Sequence, residues 1–450
     1  MRTIESAQQT LETGTVSSRS LTDECLERAH SSAGEGPRVF IRLFCDSARA
    51  EADAIDARRR ASVSTGSLGG IPISVKDLFD VRGLPTTAGS KVLSDAAPAQ
   101  ADAVVITRLR AAGAVVVGRT NMTEFAFSGL GLNPHYGTPA NPFDRRLARI
   151  PGGSSSGAAV SVADGMAVAA IGTDTGGSVR IPAALCGLVG FKPTARRVPR
   201  SGTLPLSSTL DSIGPIARSV RCCRILDEVM SGETGEGRLP ANLRGLRIGI
   251  ATGHALDDLD DHIARCFKAA LDCLSRAGVF ITEIAIPEFA EVSNAASTAT
   301  FPAAESFAWH RELLGSSKEK YDPRVAMRIA RGATISSADY IWLLAKRDTL
   351  IRSIRLRTGE LDALIMPTVP LIAPPIAELD SDDQQYHRVN LLMLRNPTFI
   401  NFLDGCALSI PCQPAGEAPV GLMLARFDGS DQRMLAIGEA VERALSSRLD

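Results

Sequence analysis

Two knots of glycine and serine lie close together, Gly152-Gly153-Ser154-Ser155-Ser156-Gly157 and Thr175-Gly176-Gly177-Ser178, with no histidine between them. Ser178 follows the strand-like run MAVAAIGTD. The glycines before it lack side chains, so the backbone N–H groups of Thr175, Gly176, Gly177 and Ser178 can turn toward one point, as a developing oxyanion requires. Read alone, the same four residues also fit a glycine-rich turn before a helix. The serines of the first knot suit a helix N-cap, but capping accounts for one serine and not three. Lys76 ends the apolar run IPISVK, a poor place for an ammonium seeking water. Burial disfavours the charged form, so a desolvated Lys76 can be neutral and accept a proton. A snorkelling lysine, or an ion pair with Asp77 or Asp80, is the plainer account of that residue. A serine hydrolase whose base is a lysine uses all three stretches and explains the missing histidine.

The elements that must position these residues are legible as an alternation. Residues 1–65 read as helices, with Leu21, Cys25, Leu26 and Ala29 on one face and ARAEADAIDARRRA as a second, alanine-rich helix. From residue 66 to 220, short β-branched runs alternate with amphipathic stretches: IPISVK, then ADAVVITRLRAAG as helix, then AVVVG. Residues 121–150, which include NPHYGTPANPFD, read as a loop forming a wall. The alternation resumes in residues 221–450 with LRIGIA, VFITEIAIP, LDALIMP, ALSIPC and VGLMLA as strands. A helical insert from about Pro302 to Gly359 interrupts them. This pattern predicts an α/β fold, a large twisted mixed sheet covered by helices on both faces. No linker rich in Gly, Ser or Pro cuts the chain, so residues 1–450 are expected to form a single domain.

Composition narrows the function. The 450 residues are 44% hydrophobic and 22% charged, with a formal net charge of −1. Such a balance argues against nucleic acid or an anionic membrane as partner, since both select a clustered basic field. No apolar run approaches the ~18 residues of a membrane span, and the first residues lack a signal-peptide pattern, so a cytoplasmic location is expected. Nine cysteines at irregular spacing read as reduced thiols. The six histidines never fall three or four apart, so no metal site is expected.

The ordered set of motifs resembles the amidase signature family. Its parts here are the strand ending in Lys76, Thr120-Asn121-Met122-Thr123-Glu124-Phe125, GGSSSG, GTDTGGSVRIP, Cys186 to Thr194 (CGLVGFKPT) and Ser208 to Pro215 (STLDSIGP). The match is dense from about Gly69 to Val220 and continues through LDALIMPT, FINFLDGCALSIPC and PVGLMLA. The resemblance implies that Ser178 is the nucleophile forming an acyl ester. It makes Ser154 a bridging serine, often on a cis peptide, and Lys76 the base. The proton would pass from Ser178 to Ser154 to Lys76 and return to the leaving amine. Thr175 to Ser178 would hold the oxyanion, and Ala126 would line the substrate site through its backbone. Asp174 and Arg180 read as an ion pair fixing the loop, and Ser155 as a hydrogen-bonding neighbour. The implied activity is hydrolysis of the C–N bond of a small carboxylic amide with no cofactor. The implied partner is that small molecule, and a homodimer is open as the assembly.

Three other readings fit some of these residues. The glutaminase subunit of a tRNA-dependent amidotransferase belongs to the same family, but that branch usually reads S-I-R-Q-P after the nucleophile and a YGRVSR-like segment after KPT. Here the chain has SVRIP and ARRVPRSG. Gly153 to Gly157 also satisfies G-x-S-x-G, with Ser155 as nucleophile and Asp362 and His387 as partners, though RRLARIPG is not the buried strand such an elbow needs. A glycine-loop protein binding phosphate would use both knots but leaves Lys76 without a task and lacks the G-x-x-x-x-G-K-[ST] lysine.

Overall fold

The computed structural model describes residues 2–233 and 241–449. Eleven strands form one sheet: β1 Phe40–Leu43, β2 Pro72–Lys76, β3 Val115–Thr120, β4 Ala169–Asp174, β5 Val189–Lys192, β6 Ser212–Ala217, β7 Arg247–Thr252, β8 Phe280–Ala285, β9 Ala363–Pro367, β10 Cys406–Pro411 and β11 Gly421–Arg426. Their order across the sheet is β1-β3-β2-β4-β6-β5-β10-β11-β9-β7-β8. β2 runs parallel to both β3 and β4, and β7 parallel to both β8 and β9. The remaining pairs are antiparallel, so the sheet is mixed, as expected.

Both faces of this sheet are covered, and the alternation of side chains shows it. Val116, Leu408, Ile410, Leu422 and Leu424 join one apolar cluster. Their chain neighbours point the other way: Val115 and Val117 into a second cluster, Ala407, Met423 and Ala425 into a third. The first cluster also takes residues from Ile4 to Leu445, so the ends of the chain pack on the same face. Helix Asp431–Leu449 lies against β10 and helix Val220–Ser231 there, burying Met434, Leu435, Ile437 and Val441 completely.

Several elements differ from the sequence reading. The N-terminal helices Ile4–Glu12, Ser18–His30 and Cys45–Arg60 are present, but edge strand β1 interrupts them. The insert is three helices, Phe301–Ser317, Pro323–Ala330 and Ser337–Thr358. The motif ending in Gly214-Pro215 is not only a turn, because Ser212–Ala217 is strand β6 in full antiparallel register with β4. A helix not anticipated at all, Asp383–Phe402, carries Pro397 in its interior.

Topology sets where the site must be. Parallel β2 and β4 end together at Lys76 and Asp174, and antiparallel β6 begins beside them, with Ser212 opposite Asp174. One end of three adjacent strands thus gathers the lysine, the second Gly/Ser knot and the STLD turn, the end of a sheet at which α/β proteins commonly bind ligands.

Candidate active site

Lys76 is fully buried. Its Nζ donates to Ser154 Oγ at 2.7 Å and to Thr173 Oγ1 at 2.9 Å, and among the described residues no carboxylate pairs with it. Asp77 bonds elsewhere, to buried Arg119, and Asp80 accepts from Thr86, so neither serves as the ion-pair partner that the sequence allowed. Burial pushes the Lys76 ammonium down to about 7, against the opposing pull of the negative charges of Asp211 and Asp174. The site therefore holds an amine divided between its neutral and charged forms near pH 7.

The first knot places its three serines differently. The Gly153–Ser154 peptide is cis. Ser155 stands at the N-cap of helix Ser156–Ala163 but makes no side-chain cap bond, so none of the three performs the capping expected of one. Its hydroxyl is buried without a hydrogen-bond partner. The contact it does make is through its backbone N–H, donated to the Ser178 carbonyl at 3.3 Å. Ser155 therefore supports Ser178 through the main chain, a correction to the side-chain bonding expected of it. The elbow reading loses its base as well, since Ser155 Oγ meets neither Asp362 nor His387.

The second knot is braced by an ion pair that is itself fully buried. Arg180 Nε and Nη2 donate to Asp174 Oδ2 and Oδ1 at 3.0 and 2.9 Å in a fork. Burial alone would raise the Asp174 carboxyl, but the charge and hydrogen bonds of Arg180, with Lys192 and Asn401 behind them, hold it well below the usual carboxylate range. The permanently charged carboxylate then organises the turn, accepting from Gly177 N at 2.8 Å and Val179 N at 3.2 Å. Gly177 N–H is thus committed inside the turn, and Gly177 is absent from the cavity wall. Thr175, Gly176 and Ser178 do line it, so three of the four residues expected to hold an oxyanion face the cavity.

These residues face a cavity of about 530 Å³. Ala126, at φ +61°, forms part of its wall. Most of the lining is apolar, including Leu210, Phe301, Leu394 and Phe402 from elements remote in sequence. Two guanidinium groups stand among them. Arg395 is engaged, donating to the Asp257 carbonyl at 2.6 Å and to Asn396 Oδ1 at 3.1 Å. Arg328 has a buried Nη1 with no acceptor, and its guanidinium lies 4.9 Å from the centre of the Phe127 ring. Among the described residues, no direct hydrogen bond joins the Ser154 and Ser178 hydroxyls. Such contacts commonly tighten only when substrate is bound.

Sequence reasoning missed Thr173, Asp211 and Asn401. Thr173 sits in the quoted GTD run, where its inward side would follow from strand alternation with Asp174. Asn401 donates to Asp174 Oδ1 at 2.9 Å and accepts from Arg180, but it lies on the helix that was not anticipated. The histidine argument also overlooked cysteine: His262 and Cys266 share one helix face four residues apart, with Glu417 near both. His262 Nε2 bonds the Ala418 carbonyl, and the Arg265 guanidinium stands 3.3 Å from Nδ1, a poor setting for a cation. None of the three lines the cavity.

The sequence model of the Amidase family matches residues 20–435. A 2-amino-5-chloromuconic acid deaminase of Comamonas testosteroni is 36% identical, over 94% of this chain and 91% of its own. A glutamyl-tRNA(Gln) amidotransferase subunit from Roseiflexus sp. (strain RS-1) is 34% identical, over 98% of this chain and 96% of its own. Among solved structures, a crystal structure of an amidase superposes with a TM-score of 0.88 at 32% identity, each chain covered completely. The family model over most of the chain, the relatives and the superposed fold agree: this chain belongs to the amidase signature family of C–N hydrolases.

Proposed function

We propose that the protein is an amidase that hydrolyses the C–N bond of a small carboxylic amide through an acyl ester on Ser178. Neutral Lys76 accepts the Ser154 proton while Ser154 accepts that of Ser178, and the Ser178 oxygen attacks the carbonyl carbon. The oxyanion meets N–H groups of the Thr175–Ser178 turn, and the proton returns through Ser154 to the departing nitrogen. Water then repeats the sequence on the ester and frees the acid. The observation that carries this reading is the 2.7 Å hydrogen bond from a fully buried Lys76 amine to Ser154, beside a cavity that Ser178 lines.

The cavity supports a narrower statement about substrate. An apolar wall with a guanidinium whose Nη1 lacks an acceptor, its other side bonded to Tyr386, suits an amide with a hydrocarbon body and a carboxylate placed to reach Arg328, because a buried donor without an acceptor costs about 1–3 kcal/mol until a ligand satisfies it. A glutaminase role is the second reading, favoured by the 34% identity with amidotransferase subunits over 98% of the chain. The test has two arms. A fluorophosphonate is expected to label Ser178, and Lys76→Ala to slow labelling by ~10³-fold or more with partial recovery at high pH. Labelling at Ser155 instead, or an unaffected Lys76 variant, refutes the mechanism. Ammonia release from paired amides with and without a carboxylate, glutamine among them, then ranks substrates. Preference for the uncharged member of each pair refutes the Arg328 assignment, and preference for glutamine selects the second reading.

A further inference from the structure

The turn Leu206 to Asp211, immediately before β6, brings a carboxylate to the strand ends that hold Lys76 and the second knot. Asp211 is buried and has four interactions that define its role. Thr175 Oγ1 donates to its Oδ1, and the backbone N–H groups of Leu206 and Ser207 donate to its Oδ2 at 3.0 and 3.1 Å. Its own carbonyl accepts from Arg200 Nη1 at 3.1 Å. A carboxylate that merely closed its own turn would need only the two amides. The bond to Thr175 reaches instead into the residue that opens the oxyanion segment and lines the cavity.

Charge adds a second link. The Lys76 amine is bonded to Ser154 from the first knot and Thr173 from β4, and the carboxylates whose charge reaches it are Asp174, at the end of β4, and Asp211, in the turn before β6, the strand whose first residue pairs with Asp174. Asp174 is neutralised by the Arg180 fork, whereas Asp211 has no side-chain ion pair among the described residues; the Arg200 guanidinium is on its backbone, and Glu305 bonds Ser207 and Thr209 instead. The negative charge of Asp211 is the largest one acting on Lys76, and burial pushes its own carboxyl up to about 6.

We propose that Asp211 is a positioning residue with two tasks, anchoring the Thr175 end of the oxyanion segment and supplying the charge that sets how readily Lys76 becomes protonated. This rests on the mechanism proposed above. Removing the charge while keeping the anchor takes away an attraction that favours the ammonium, so Lys76 stays neutral to lower pH. Removing both loosens the turn as well.

The experiment uses the rate of fluorophosphonate labelling at Ser178, read by mass spectrometry from about pH 5 to about pH 10, which needs no knowledge of the substrate and spans the range of a depressed lysine. The wild-type rate is expected to rise with pH along an acid limb as Lys76 loses its proton. In Asp211→Asn the limb is expected to move to lower pH by about 1 unit, the effect of losing one nearby opposite charge; the plateau falls as well, by less than in Asp211→Ala, because the amide keeps an acceptor for Thr175 but sets its NH2 against the Leu206 and Ser207 N–H donors. In Asp211→Ala the plateau is expected to fall by about tenfold or more, since loss of the Thr175 bond frees the turn. Asp211→Ser, also uncharged, replaces the Asn variant if that one is not recovered folded. An acid limb that does not move in the folded uncharged variant overturns the proposal, even if the plateau falls, because a purely structural role predicts that result. Absence of wild-type labelling at Ser178 overturns the mechanism beneath it, and the proposal with it, so the two failures are distinguishable.

Discussion

Lys76 is surrounded by protein on every side, and both of its hydrogen bonds go to hydroxyls rather than to a carboxylate. An ammonium there has lost its hydration without gaining a full ion pair, which is why burial lowers its pKa to about 7. The thermodynamic sign follows. The unfolded chain keeps this proton up to about pH 10.4, so between about 7 and 10.4 the unfolded state binds more protons and stability rises with pH. Below about 7 the fold carries the whole penalty. Lys76→Met is therefore expected to stabilise the protein by about 2 kcal/mol near pH 6, after allowing for the orphaned Ser154 and Thr173 hydroxyls, while abolishing activity. Urea unfolding at two pH values measures it: the advantage of the variant should shrink as pH rises toward 10. A variant less stable than wild type at pH 6 would mean that Lys76 is a structural ion, not a stored base.

At the scale of elements, the second knot depends on a helix far along the chain. Gly177 has φ +121°, and a Cβ built there would come within 2.5 Å of the Pro397 Cβ in helix Asp383–Phe402. Gly177→Ala is expected to cost about 2–4 kcal/mol from the backbone and the overlap together. It should also slow Ser178 labelling by about 100-fold, since moving the turn by even ~1 Å misplaces the nucleophile. Labelling and thermal stability close to wild type would show that the packing of turn on helix is not tight. The same helix explains what the sequence concealed. Pro397 breaks the helical pattern, and Asn390, Asn396 and Asn401 are buried while Leu391 is exposed, so polar and apolar residue types do not sort onto two faces of the helix. β5 and β6 were hidden for a different reason: they hold Gly190, Gly214 and Pro215, the punctuation of turns. Lys76, Ser154, Ser178, Asp174 and Arg180 were legible because their motifs are contiguous. Asn401 was not, and Asp211 was legible within STLDSIGP but not as a partner of Thr175, because these contacts cross between strand, turn and helix and no local spacing encodes them.

At the scale of the molecule, the site is assembled by one sheet from distant segments. Lys76 and the serines come from the first half of the chain, while Phe301, Arg328 and Leu394 in the cavity wall come from the second. β5 joins the halves by pairing with β10, Leu408 opposite Phe191, and β10 is in turn covered by the C-terminal helix Asp431–Leu449. Asp431 at the start of that helix accepts from Thr194 N at 2.7 Å and from its hydroxyl at 2.8 Å, fastening the helix just beyond β5. No described residue of the helix touches the cavity. Deleting residues 431–450 nonetheless removes the buried Met434, Leu435, Ile437 and Val441, each worth about 1.5–3 kcal/mol of burial, and uncovers Leu408 and Val220 beneath them, against a total stability of about 5–15 kcal/mol for a typical fold. The truncated chain is expected to be insoluble, and any soluble fraction to show no fluorophosphonate labelling at Ser178. Soluble expression and labelling of the purified fraction check this. A truncated protein that labels at the wild-type rate would show that the end of the sheet holding Lys76 keeps its geometry without cover over β10, and that the two halves of the molecule are far less interdependent than their shared sheet implies.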